Sequence, residues 1–215
     1  IIIARGGIIM TFWDGFYSLG VKLLKIIYLN FLWLFFSAIG LFAFGLFPAT
    51  IALFTITRQF LLDIDKPITR TFWEVYKNEW VRGNGYAVIS YIIVLILAID
   101  FYAIYMFDSL SILLIPTFII AFIIFGTLFF FFPVYVHFDL AFLPMIKQAF
   151  LFTITSPFTV ILNALSIVLI YGIFNIMPGA IPLFAGSVVS LFVMKFSLRS
   201  FKKIEQGKVS EAVTL

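Results

Sequence analysis

The side chains able to do chemistry are few, and their spacing is poor for catalysis. The 215 residues include ten Asp or Glu, fourteen Lys or Arg, one histidine and no cysteine. Without cysteine there is neither a disulfide framework nor a thiolate metal site. The lone His137 removes most zinc and histidine-relay chemistry. No GxxxxGKS or GxxxxGKT phosphate loop is present, no HExxH, no GxSxG and no carboxylate cluster suited to a metal ion. Glu74 and Glu79 stand in a cationic segment without a nucleophile or metal partner. The expectation is a chain with no catalytic, cofactor or metal site, and so no enzyme.

The elements that must position these groups are set by composition. The chain is 64% apolar, 20% aromatic and 11% charged, with a mean hydropathy of +1.19. Soluble domains run about 45–50% apolar and about 25% charged. This chain could not cover its surface in water, so lipid must surround it. The net charge of +4 would point to nucleic acid in a soluble protein. Here it reads as topology, because Lys and Arg gather on the cytoplasmic side, and no nucleic-acid partner is expected.

Uncharged runs cover residues 26–57, 83–99, 109–136 and 148–194. A helix needs about 20 apolar residues to cross a bilayer. Single spans are predicted over Asn84–Tyr105 and Leu110–His137. The last run is broken by Pro178-Gly179 and Pro182 into Pro157–Met177 and Ile181–Phe196. The first run is too long for one helix and short for two. Two crossings place all 14 cations on one side, whereas one crossing sets Arg5, Lys22 and Lys25 opposite the others. A tight turn at Gly45-Leu46-Phe47-Pro48 follows, with Pro48 starting a returning helix over Phe47–Leu62 and Arg58 reaching toward the headgroups.

The predicted fold is an all-α integral membrane protein of about six transmembrane helices, with five as the alternative. A cytoplasmic amphipathic interfacial helix and cytoplasmic termini complete it. The apolar runs do not alternate, which disfavours a β-barrel. Residues 1–9 precede a Met10 that reads as a natural start, and are set aside as a non-native or upstream extension. Residues 10–205 form one helical membrane domain and 206–215 a cytoplasmic tail; no cleavable signal peptide is expected.

Residues 67–82 (PITRTFWEVYKNEWVR) place Thr69, Phe72, Trp73, Tyr76 and Trp80 on one helical face, with Arg70, Glu74, Lys77 and Asn78 opposite. Such a helix fits the headgroup layer, and Phe72, Trp73, Tyr76, Lys77 and Trp80 equally fit a docking surface. A less polar version at 142–155 also follows a crossing and leads into another. The recurrence allows a duplicated unit, although few residues match. Anionic inner-leaflet lipid is an expected partner of the basic tail.

Ionisable groups at membrane depth are functional candidates by default. Asp100, near the outer end of its span, is the foremost, against the alternative of a wetted carboxylate. Asp108 falls in the short outer loop, and His137 and Asp139 at an inner end. Asn30, Asn163 and Asn175 can hydrogen-bond between helices. Asn163 pairs with Ser166 at i, i+3, and Gly186 with Ser190 forms a small-xxx-small contact. Phe129–Phe132 read as lipid-facing bulk.

From Asn30 onward the chain resembles the YesL-like family of bacterial membrane proteins, a family without an assigned activity. The resemblance rests on Asn30-Phe31-Leu32-Trp33, Gly45, Pro48-Ala49-Thr50 and Arg58. It continues through Phe72-Trp73, Tyr76-Lys77-Asn78 and the tail cations Lys195, Arg199, Lys202 and Lys203. One departure is that Gly45 stands two residues further from Pro48 than in the family's Gly-Pro-Ala-Thr form. The resemblance implies a bacterial cytoplasmic membrane and a setting beside carbohydrate ABC importers. The chain lacks the EAA-type loop by which importer permeases grip their ATPase, so an accessory subunit bound to the permease is the natural expectation. The alternatives are a small self-contained transporter or channel, favoured by broken segments at Pro48 and Pro178, and a membrane regulator of sugar-uptake signalling. The layout predicts that cysteines placed at positions 15 and 75 react from the same side of sealed cells; labelling from opposite sides would contradict it.

Overall fold

A computed structural model describes the backbone of residues 2–138 and 140–213, and the side chains of 17–138 and 140–206. Eight α-helices follow one another: α1 Ile2–Ile39, α2 Leu46–Leu61, α3 Ile68–Asn78, α4 Trp80–Met106, α5 Leu114–His137, α6 Phe142–Thr155, α7 Pro157–Ile176 and α8 Ile181–Val213. Short 3-10 turns at Asp108–Leu113 and Pro178–Ala180 join α4 to α5 and α7 to α8. Among the described residues there is no strand. The chain is an all-α, multi-pass membrane protein.

Among the described residues, five segments are long and apolar enough to cross a membrane: Tyr17–Ile39, Trp80–Met106, Asp108–His137, Pro157–Ile176 and Pro178–Gln206. The other expected crossing, α2, has only 16 residues. What distinguishes α2 is burial. It packs against α1, α3, α4, α5 and α8, and Ala49, Ala52 and Ile56 are wholly buried. A helix surrounded on so many sides must be apolar all round, which is why its sequence resembles a span.

The turn between α1 and α2 lies earlier than expected, over Gly40–Gly45. Leu41 and Phe42 adopt left-handed backbone angles, φ 55° and 57°. Neither is a residue that favours that region. Backbone bonds hold them there: Phe42 N–H donates to the Ser37 carbonyl at 2.8 Å, and Gly45 N–H to the Gly40 carbonyl at 3.0 Å. Gly45 itself has an ordinary helical φ of −88°. Its role is close approach: a Cβ there would sit 2.5 Å from the Ser37 carbonyl oxygen and 2.8 Å from Gly40 Cα.

The amphipathic helix predicted over 67–82 is split. α3 ends at Asn78, Glu79 breaks the geometry, and α4 begins at Trp80. Part of its apolar stripe is turned into the protein. Phe72 is fully buried and Tyr76 nearly so, both packed with Leu29 and Phe36 of α1 and Leu53 and Ile56 of α2. The Phe36 ring lies 5.1 Å from that of Phe72 and 4.9 Å from that of Tyr76. Tyr76 Oη donates to the Phe36 carbonyl at 3.0 Å, and burial pushes its phenol above the usual tyrosine pKa. Tyr28 Oη and Thr69 Oγ1 meet at 2.7 Å, so α3 runs beside α1 in the same direction. Two of the five residues proposed as a partner face, Phe72 and Tyr76, are therefore internal; Trp73, Lys77 and Trp80 stay exposed.

A second correction concerns Phe129–Phe132. Phe130 and Phe131 are buried, and Phe129 and Phe132 pack against the same core. Phe132 stacks on Phe54 at 5.3 Å, and Phe130 joins Phe152 and Phe201. Hydropathy scores a ring identically against lipid and against protein, so the sequence does not separate the two. The last helix also outruns its expected end at Phe196, because Leu198 and Phe201 continue the buried face of α8 through the cations.

Gly45→Ala should lower the unfolding free energy by about 1–3 kcal/mol, the usual cost of overpacking against fixed backbone. Gly85→Ala, where nothing lies within 4 Å, should be neutral or slightly stabilising. Thermal melts of the detergent-solubilised pair check this.

Candidate functional site

Asn30 is fully buried on α1 and reaches across to the start of α8. Its Nδ2 donates to the Pro182 carbonyl at 2.8 Å, and its Oδ1 accepts from the Gly186 N–H at 2.8 Å and the Ser187 N–H at 3.1 Å. Pro182 and Gly186 are the i and i+4 residues that a helical bond would join. The carboxamide therefore bridges one rung of the α8 ladder, matching donor to acceptor at each end. One turn further along α1, the indole of Trp33 lies under Gly186. A Cβ at Gly186 would come within 2.7 Å of the ring. Trp33 Nε1 donates to Thr50 Oγ1 at 3.1 Å, and Thr50 passes its own proton to the Leu46 carbonyl at 2.6 Å. Three helices are thereby joined through Asn30, Trp33, Thr50 and Gly186.

The contact continues down α8. Ser190 Oγ donates to the Ser187 carbonyl at 2.9 Å, which leaves it as acceptor for the hydroxyl of Thr57 on α2, also 2.9 Å away. Further on, Thr159 of α7 meets Ser200 at 2.7 Å. Ser187, Ser190, Ser197 and Ser200 are all buried, a stripe of small residues along one side of α8 that admits close neighbours. Asn163 and Ser197 lie one turn beyond the Thr159–Ser200 bond on the antiparallel pair α7 and α8. Among the described residues the Asn163 carboxamide and the Ser197 hydroxyl have no hydrogen-bond partner.

A second polar constellation sits where the α3–α4 break meets α5. The cleft, about 290 Å³ in volume, is lined by Glu79, Arg82, Tyr135 and His137 among others. Tyr135 Oη donates to Glu79 Oε2. Arg82 Nε donates to Tyr86 Oη at 2.8 Å, and its guanidinium lies 5.5 Å from the centre of the Tyr135 ring. Arg58 turns to His137 at the end of α5: its Nε donates to Nδ1 at 3.2 Å, which makes Nδ1 the unprotonated nitrogen. The effect is a clasp. It ties α2, the α3–α4 break and α5 together through aromatic and charged groups. Among the described residues no three carboxylates or histidines gather to hold a metal ion.

The sequence candidates thus divide. Asn30, Trp33 and Thr50 are brought together; Gly45 and Pro48 shape the nearby turn and the buried start of α2; Arg58 belongs to the clasp. Pro48 also lies 3.6 Å from a Cβ built at Gly83, so α4 begins beside the start of α2. Asp100 is exposed on α4, far in sequence from either constellation. Asn163 is buried as expected of a helix-contact residue, and Ser166 bonds the Leu162 carbonyl rather than Asn163. Asp139 lies outside the described residues. Glu79 and Tyr135 lie 56 residues apart, and no local spacing signals their pairing. Gly186, read with Ser190 as a small-xxx-small pair, does sit at a close helix approach, against Trp33 of α1.

The family described as "Protein of unknown function, DUF624" matches residues 26–101, from within α1 into α4. That stretch holds Asn30, Trp33 and Thr50 but not their α8 partners. The chain is 34% identical over 187 residues to "Uncharacterized protein YteU" of Bacillus subtilis (strain 168), covering 86% of this chain and 84% of that one. It is 29% identical over 196 residues to "Uncharacterized protein YesL" (87% and 90%) and 30% over 204 residues to "Uncharacterized protein YesV" (91% and 95%), both of the same organism. No solved structure matches.

Replacing Asn30 by Leu keeps the branched shape, although two methyls are bulkier than the amide, and removes three hydrogen bonds; it should cost about 1–3 kcal/mol. Trp33→Phe removes the benzo ring that packs under Gly186 together with the bond to Thr50, and should cost about 1–3 kcal/mol as well. Melting curves in detergent read both; no loss in either variant would mean that the α1–α8 contact does not stabilise the fold.

Proposed function

Starting from the premise that the chain belongs to the DUF624 family of proteins of unknown function, we propose that it is a non-catalytic accessory membrane protein of a carbohydrate ABC importer. It associates with the permease as an assembly or regulatory subunit. Its place is the bacterial cytoplasmic membrane, with both termini and the basic tail on the cytoplasmic side.

The observation that favours this reading is how the polar groups are used. Asn30, Thr50, Thr57, Arg58, Glu79 and Tyr135 bond across the chain's own helices. They support a scaffold. Outside it, Trp73 keeps half of its surface exposed and Trp80 more than a third, with exposed Lys77 between them in sequence. Tryptophan is the residue type most enriched where binding energy concentrates. This strip is the proposed contact with the permease, and it is smaller than the five-residue face read from sequence.

One observation favours a second reading as a small transporter: the buried, unpartnered carboxamide of Asn163. Liposomes containing the chain alone distinguish the two, since flux of sugars or ions supports transport and counts against an accessory role.

Affinity capture of the importer permease from native membranes should retain this chain in fixed stoichiometry. Trp73→Ala with Trp80→Ala should weaken retention about tenfold or more, with the helical content unchanged. Failure of wild-type capture, with and without transport substrate, contradicts the proposal.

A further inference from the structure

A cavity of about 400 Å³ opens between the Lys22–Ile26 turn of α1, the end of α2 and the connection to α3. Its walls are of two kinds. Ile26, Phe60, Leu61, Ile68 and Leu191 are apolar, while Lys22, Lys25, Lys66, Asp63 and Asp65 bring charges of both signs. Among the described residues the one ion pair is Arg70–Glu74, so none of these five charges is neutralised within 4.0 Å. Gln59 also lines the cavity. It is more than nine-tenths buried, and among the described residues its carboxamide has no hydrogen-bond partner. Its amide is not among the sealed polar groups, so it reaches the cavity and can bond what enters it.

The position of the cavity identifies the filler. The uncharged run 26–57 ends at Lys25 on one side and Arg58 on the other, and the cavity is built from the residues flanking both ends. This is where hydrocarbon gives way to headgroups. A ligand with an apolar part, one phosphate and one ammonium would match the walls. We propose that the cavity holds an aminophospholipid. Its phosphate lies among Lys22, Lys25 and Lys66, its ammonium between Asp63 and Asp65, and its glycerol end bonds Gln59. A choline headgroup fits less well, because its quaternary nitrogen has no N–H to donate to the carboxylates. An anionic glycerol headgroup leaves both aspartates without a partner.

Native mass spectrometry of the full chain in detergent tests this. The chain is titrated with phosphatidylethanolamine, phosphatidylcholine and phosphatidylglycerol of identical acyl chains, and separately with water-soluble phosphoethanolamine. Phosphatidylethanolamine should be retained about fivefold better than phosphatidylcholine, the range expected of partly exposed charge pairs. Asp63→Asn with Asp65→Asn should erase that preference. Asparagine tolerates the left-handed backbone of Asp63 (φ 53°), so the connection keeps its shape. Lys22→Gln, Lys25→Gln and Lys66→Gln together should weaken all three lipids. Equal retention of the ethanolamine and choline lipids by the unaltered chain overturns the proposal. So does a preference for phosphatidylglycerol that survives loss of the aspartates. Displacement of the lipid by phosphoethanolamine at similar concentration would assign the cavity to a soluble ligand and overturn it as well.

Discussion

The bond that most constrains this molecule is made by the Asn30 carboxamide, which stands between the Pro182 carbonyl and the Gly186 N–H. An amide has an acceptor end and a donor end, and the first turn of α8 offers a partner for each. The fit fixes more than a distance. It sets the depth of α1 against α8, and with it the place of Trp33 under Gly186, the only kind of residue that leaves room for the indole. Once those two helices are in register, Thr50 receives the indole proton and α2 is drawn in. The Thr57–Ser190 bond then closes the same interface one turn on.

That α2 sits within the bundle explains the otherwise odd course of the following segment. A 16-residue apolar helix among four other neighbours needs cover on its remaining side, and α3 supplies it with Phe72 and Tyr76. The price is that Phe72 and Tyr76 are unavailable to lipid or to a partner. What remains outside is Trp73, Lys77 and Trp80. The clasp of Glu79, Arg82 and Tyr135 then holds the α3–α4 break against α5. The two constellations thereby secure both sides of α2.

Much of the architecture could be read from the positions of charge alone. Four uncharged runs located the long helices, and Phe142–Thr155 and the start at Pro157 fall where the pattern put them. Charge could not say which faces meet. Phe130 and Phe131 look like lipid-facing bulk because packing against protein and against hydrocarbon demand the same side chain. The turn was misplaced because Leu41 and Phe42 carry no turn signal; their left-handed angles are imposed by bonds to the end of α1 and by the close approach of Gly40 and Gly45. Asn30 and Trp33 stood out through family resemblance, yet their purpose depends on Gly186, which lies in α8 and has no spacing relation to them.

Hydrogen–deuterium exchange at the amides of Gly186 and Ser187 is the most direct measure of the Asn30 bridge. In the unaltered chain both should exchange as slowly as the centre of α8, and in Asn30→Leu both should exchange markedly faster while Val193 and Met194 stay protected. Protection at Gly186 and Ser187 that is untouched by the loss of the carboxamide would mean that α8 closes its own ladder there, and that the bridge does not hold the helices together.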